Sequence, residues 1–201
     1  MGRVAQIEHL DRAIALAPDR AWYRETHAIY CIDLRRFEQA AADLDTAIVL
    51  ADRPYLRFLR GLVTCQRGEY GRSLADFDLA IRGQPENAQF YRGRALARSA
   101  VGRHEEALVD ANRLVTLAPQ QGESYYARGV ALSGLGRDRD AIADFDECLR
   151  RRPELVYPLR ARAASYERLG DPSLAADDRD EARRKEEHES NYAVSLDPFR
   201  Y

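Results

Sequence analysis

SYYARGVALSGLGRDRDAIADFDECLRRRP, residues 124–153, spells out a helix, a tight turn and a second helix. In the first part Tyr125, Arg128, Gly129 and Leu132 recur at three- and four-residue steps, which marks one face of a helix. Gly136 stops the run, as a glycine past a helix C-terminus does. The second spacing predicts a helix from Asp138 to Arg151, with Ile142, Phe145, Cys148 and Leu149 on its apolar side and Pro153 closing it. Gly129 and Ala141 are small because two helices that cross closely cannot hold large side chains at the contact. Phe145 then fills the wedge between neighbouring units.

The same unit recurs along the chain. Gly68, Gly102, Gly136 and Gly170 lie 34 residues apart, and Arg35 occupies the same slot one unit earlier. Small residues repeat at Ala28, Gly61, Ala95, Gly129 and Ala163, and again at Ala40, Ser73, Ala107, Ala141 and Ala175. A third ladder runs Ala13, Ala47, Ala80, Leu114, Cys148 and Ala182. Prolines 18, 85, 119 and 153 close units, with Asp52 in the remaining slot and a one-residue deletion near it. A fixed period of this length is the mark of a repeat architecture in which each unit buries its apolar face only against its neighbours.

These ladders resemble the tetratricopeptide repeat family. The matching features are the small residue of the first helix, the turn glycine, the early alanine of the second helix, the Leu44, Phe77 or Phe145 four residues on, and the closing proline. The resemblance implies an all-α fold, a right-handed solenoid of stacked antiparallel helix pairs. Residues 1–20 are expected to hold a half repeat and 21–53, 54–87, 88–121 and 122–155 full repeats. An altered last repeat with a capping helix takes 156–190, and 191–201 form a tail, all within a single solenoid over 1–190. The chain departs from the family where a leucine is usual: Arg60, Arg94, Arg128 and Arg162 stand there, with His27 in the first unit. The family's early tryptophan is replaced by Arg24, Arg57, Tyr91, Tyr125 and Leu159.

The arginine series travels with an aspartate series, Asp43, Asp76, Asp110, Asp144 and Asp178. Each arginine is expected to pair with an aspartate of its own or the adjacent unit through charge-assisted hydrogen bonds. The competing reading is a row of ligand-binding arginines.

The two ends differ from the middle. The helix from Val4 to Leu16 lacks a first-helix partner, so its apolar edge marks a fragment of a longer solenoid, a dimer edge or a lid. The last helix, about Pro172 to Ser190, is dominated by charge and has Arg179 where other units carry an apolar residue, as a cap with a polar outer face should. The tail NYAVSLDPFRY carries Tyr192, Leu196, Phe199 and Tyr201, and is either disordered or a segment that docks on this chain, a second copy or a partner.

Composition narrows the function. A net charge of −2 gives no basic footprint for nucleic acid. No apolar run is long enough to span a bilayer. Arginine supplies nearly all the positive charge, Lys185 being the one lysine, which suggests a GC-rich bacterial gene. Cys31, Cys65 and Cys148 lie far apart and on apolar faces, as free thiols of a reducing cytoplasm do. His9, His27, His104 and His188 are scattered and show no metal-ligand spacing with a Cys or carboxylate. No nucleotide loop or nucleophile elbow occurs. Neither enzymatic activity, a cofactor nor a metal is expected.

In the family the first helices line the concave face. On that basis the candidate partner-binding residues are Tyr55, Phe58, Leu62, Gln89, Arg92, Leu96, Tyr126, Val130, Tyr157 and Arg160, with Gly93, Ala127 and Ala161 leaving room between them. Ile29, Leu62 and Leu96 stand where chaperone-binding members carry asparagines, which argues against that specialisation. The expected function is a scaffold that holds a peptide or helix of a protein partner. The alternatives are self-assembly through the N-terminal edge or the aromatic tail, giving a homo-oligomer, and a regulatory domain of a larger protein.

Overall fold

The structure, a computed structural model, describes residues 3–190, with side chains described over 6–187. Residues 191–201, and with them Tyr192, Leu196, Phe199 and Tyr201, lie outside the described residues, as do the side chains of Val4 and His188. The described residues hold helices and no strand. They are α1 Arg3–Leu16, α2 Ala21–Asp33, α3 Phe37–Leu50, α4 Pro54–Gln66, α5 Tyr70–Gly83, α6 Ala88–Ala100, α7 His104–Leu117, α8 Gly122–Gly134, α9 Asp138–Arg151, α10 Tyr157–Leu169 and α11 Pro172–Ser190.

The chain divides into two compact units after Glu86. In the first, each of α1 to α4 packs on the helix that follows it, so that α2–α3 and α4–α5 form two hairpins and α1 lies against α2. In the second, α6–α7, α8–α9 and α10–α11 are hairpins, and α8 packs beside both α6 and α10. In the second unit the first helices of successive hairpins therefore run side by side. Phe77, Phe90, Phe145, Leu44, Leu56, Leu114 and Leu159 are fully buried between helices. The last helix buries Ala175, Asp178 and Ala182 and turns most other side chains to solvent, including Leu174.

The turn inside each hairpin is made the same way. Gly68, Gly102, Gly136 and Gly170 have φ of 75°, 77°, 72° and 84°. The amide after each glycine donates back to a carbonyl of the last helical turn, as in Glu69 N to Thr64 O at 2.8 Å and Arg137 N to Leu132 O at 3.0 Å. That six-residue return satisfies a helix-end carbonyl and requires a left-handed residue before it. Arg35 holds this slot in the first hairpin at φ 57°, with Arg36 N returning to Cys31 O at 2.8 Å. A side chain in that region costs about 1–2 kcal/mol, while glycine adds some unfolded-chain entropy. Arg35→Gly is therefore expected to stabilise the first unit by about 0.5–1 kcal/mol in urea unfolding. No gain would mean that the Arg35 guanidinium, 5.7 Å from the Phe37 ring centre, repays the strain.

Candidate binding face

The ion-pair ladder runs along the side of the first helices. Arg60, Arg94, Arg128 and Arg162 each grip the aspartate sixteen residues on with both Nε and Nη2, at 2.5–2.9 Å. Two carboxylates two residues apart, Asp144 and Asp146, serve different hairpins. Asp144 accepts from Arg128 of its own hairpin, while Asp146 accepts from Arg162 of the next, at 2.5 Å. Asp45 likewise accepts from Arg60 at 2.8 Å. Asn112 occupies the corresponding slot before Arg128, which meets no second carboxylate among the described residues and is the most exposed of the four arginines at 29 %. Bonds to Asp76 and Asp178 raise Arg60 and Arg162 further above the usual guanidinium range.

Three rungs carry an additional arginine that the ladder alone does not announce. Arg24 joins Asp43 at 3.1 Å, Arg57 approaches Asp76 at 3.5 Å and Arg98 joins Asp110 at 2.7 Å. Arg24 and Arg57 fill the family's early tryptophan slot, so the departure from the family pattern was their signal. The arginines are thus tied into architecture.

The histidine expectation needs correcting at one position. His27 takes the arginine's place in the first rung, with Nδ1 2.5 Å from Asp43 Oδ2. Cys31 Sγ lies 3.6 Å from the same nitrogen. His27 and Cys31 are one helical turn apart, and Asp43 comes from the facing helix, which is a spacing no linear metal motif contains.

The candidate binding residues fall in two groups. In the first unit Tyr55 is 40 % exposed and leans on Phe58 at 6.0 Å, which in turn meets Phe77 at 6.1 Å. Phe58 and Leu62 are buried, and Phe58 supports Tyr55 from beneath. In the second unit Gln89 and Arg160 are exposed, and Arg92, Leu96, Tyr126 and Val130 are half-buried. Tyr126 sits between Phe145 at 6.0 Å and Tyr157 at 4.4 Å, edge to face with the latter. Tyr157 itself is buried, so the accessible ring of that pair is Tyr126. Leu96 rests on the cluster of Ala95, Ala111, Leu114 and Ala127, and Val130 on that of Leu132, Ala141 and Phe145. Arg160 is held by Glu186 of α11 at 2.6 and 2.7 Å, a partner outside the sixteen-residue ladder.

Burial pushes the Cys148 thiol up to about 12 and raises that of Cys65. None of the three cysteines is in a disulfide. Among the described residues no helix is long and apolar enough to cross a membrane.

The tetratricopeptide repeat family model matches residues 122–155, the span of the fourth full repeat. No sequence among the curated proteins matches the chain. Similar solved structures include MamA MSR-1, 24% identical over 84% of this chain and 98% of that one, with a TM-score of 0.64. MamA from Desulfovibrio magneticus RS-1, residue 41 to the end, is 20% identical over 84% and 96% of the two chains, with a TM-score of 0.68. A further MamA crystal structure is 16% identical over 89% and 98%, with a TM-score of 0.64. These likenesses speak for the fold. With the matched repeat, the left-handed turns at the 34-residue period and the paired helices, they show that the chain has a tetratricopeptide-repeat fold.

Proposed function

We propose that the chain is a protein-interaction scaffold, and that the first helices of its second unit hold a peptide or helix of a partner. What supports this most is the contrast on those helices. Gln89, Arg92, Leu96, Tyr126 and Val130 keep accessible surface on neighbouring first helices, while Gly93 and Ala127 between them are buried and small. An aromatic and two aliphatic anchors beside a guanidinium and an amide suit a segment with apolar side chains and an acidic group. The test uses peptides selected from a random library on the intact chain, followed by fluorescence polarisation. Gln89→Ala with Arg92→Glu is expected to weaken them at least about tenfold, equivalent to about 1.4 kcal/mol. A control change at the exposed Ala143 on α9, Ala143→Glu, leaves affinity unchanged. Equal loss in the control, or none in the double variant, moves the binding site off this face.

A second reading, self-association, is favoured by the N-terminal end of the first unit, where Leu16 and Trp22 are 87 % and 55 % exposed. Sedimentation across a hundredfold range of concentration distinguishes the two readings. A strict monomer removes the second.

A further inference from the structure

We infer that His27 Nδ1, Cys31 Sγ and Asp43 Oδ2 form a binding site for a zinc-class divalent metal ion in the first rung of the ladder. The three ligand atoms lie within 4.8 Å of one another on buried side chains of α2 and α3. The rung departs from the others at two positions at once. Where it has His27 the rest have arginine, and where it has Cys31 they have Thr64, Arg98, Leu132 and Tyr166. A histidine alone would be a weaker arginine. A histidine with a thiol one turn further on adds a soft ligand that an ion pair does not use.

The surroundings suit a cation. His27 Nε2 stands 3.2 Å from the Asp11 carboxylate on α1 but makes no hydrogen bond to it; Nδ1 holds its proton in the 2.5 Å bond to Asp43 Oδ2 and releases it when the lone pair takes a metal. Arg24 takes Asp43 Oδ1 and leaves Oδ2 for the metal. The separation of Nδ1 and Sγ, 3.6 Å, already fits two ligands about 2.0–2.3 Å from one tetrahedral ion. Nδ1 and Oδ2, now 2.5 Å apart, must separate by about 1 Å, within reach of a rotation of the Asp43 side chain. Gln39 Oε1, 3.9 Å from Sγ, and water are oxygens for the fourth position. Mixed nitrogen, sulfur and oxygen donors select zinc over magnesium or calcium. Burial and the Asp43 charge push the Cys31 thiol up to about 11, so it binds by giving its proton to solvent as the sulfur–metal bond forms.

The test uses the intact chain, stripped of metal and kept reduced, titrated with cobalt(II) and then zinc. A thiolate-to-cobalt absorption band is expected that saturates at one equivalent and is displaced by zinc. Cys31→Ser loses the band. His27→Arg installs the arginine of the other rungs, keeps the helical circular dichroism, and weakens cobalt binding at least about a hundredfold. Zinc at a hundredfold excess over its dissociation constant raises the thermal midpoint of the wild type by about 5 °C or more and leaves that of His27→Arg in place. No band in the wild type, the same band in Cys31→Ser, or an equal zinc response in His27→Arg would each overturn the site and leave the rung a histidine–aspartate pair.

Discussion

Replacing Asp110 by alanine is expected to cost the second unit about 3–5 kcal/mol, the range for removing one partner of a buried ion pair. Asp110 is 2 % exposed and accepts from Arg94 Nε at 2.8 Å, Arg94 Nη2 at 2.6 Å and Arg98 Nη1 at 2.7 Å. Both arginine side chains are about 15 % exposed, so water reaches them poorly. The large term is the pair of guanidinium groups deprived of their shared anion. Removing one arginine is different: Arg98→Met leaves Arg94 on Asp110 by two bonds, and a loss of about 1 kcal/mol is expected. Urea denaturation of the intact chain, followed at the transition of the second unit, measures both. A loss below about 1 kcal/mol for Asp110→Ala would show the rung to be as weak as an exposed surface pair.

The hairpins were legible because their signals are local. A glycine that must be left-handed, an alanine that must be small and a proline that must end a helix need no knowledge of the neighbours. The ladder was legible for the same reason, since Arg60 and Asp76 recur in step. What the sequence concealed lies across helices. Tyr157 and Phe58 look like groove residues by period, yet each lands under a neighbouring ring, because the half-turn between inward and downward on a helix depends on how the adjacent helix crosses it. Arg160 reads as an open charge until Glu186 of the cap meets it. His27, Cys31 and Asp43 looked unrelated because two of them share a helix face and the third comes from the facing helix. The division after Glu86 carries no composition shift, and the 34-residue period passes through it unbroken.

Gly129→Val is expected to cost about 3 kcal/mol, and the response of this position to a change at Phe145 would show why glycine stands wherever phenylalanine faces it. A Cβ at Gly129 would stand 2.6 Å from Phe145 Cε1, and one at Gly61 2.7 Å from Phe77 Cε1. Both rings are fully buried, and Phe145 is backed by Tyr126, so it cannot withdraw without displacing a second ring. The two positions sit sixteen residues apart in every unit, and their sizes move together. Glycine stands with Phe77 and Phe145, whereas Ala28 stands with Leu44, Ala95 with Ala111 and Ala163 with Arg179. Gly129→Ala gains about 1 kcal/mol of helix propensity and loses about 1–3 kcal/mol to overpacking, so a net loss of about 1 kcal/mol is expected. Phe145→Leu alone leaves a space beside Gly129 and costs about 1–2 kcal/mol. The double variant reproduces the Ala28 and Leu44 combination and should be more stable than the sum of the single changes predicts, by about 1–2 kcal/mol in a double-mutant cycle. Additive losses would mean that glycine at this position answers to the course of the backbone and not to the ring beside it.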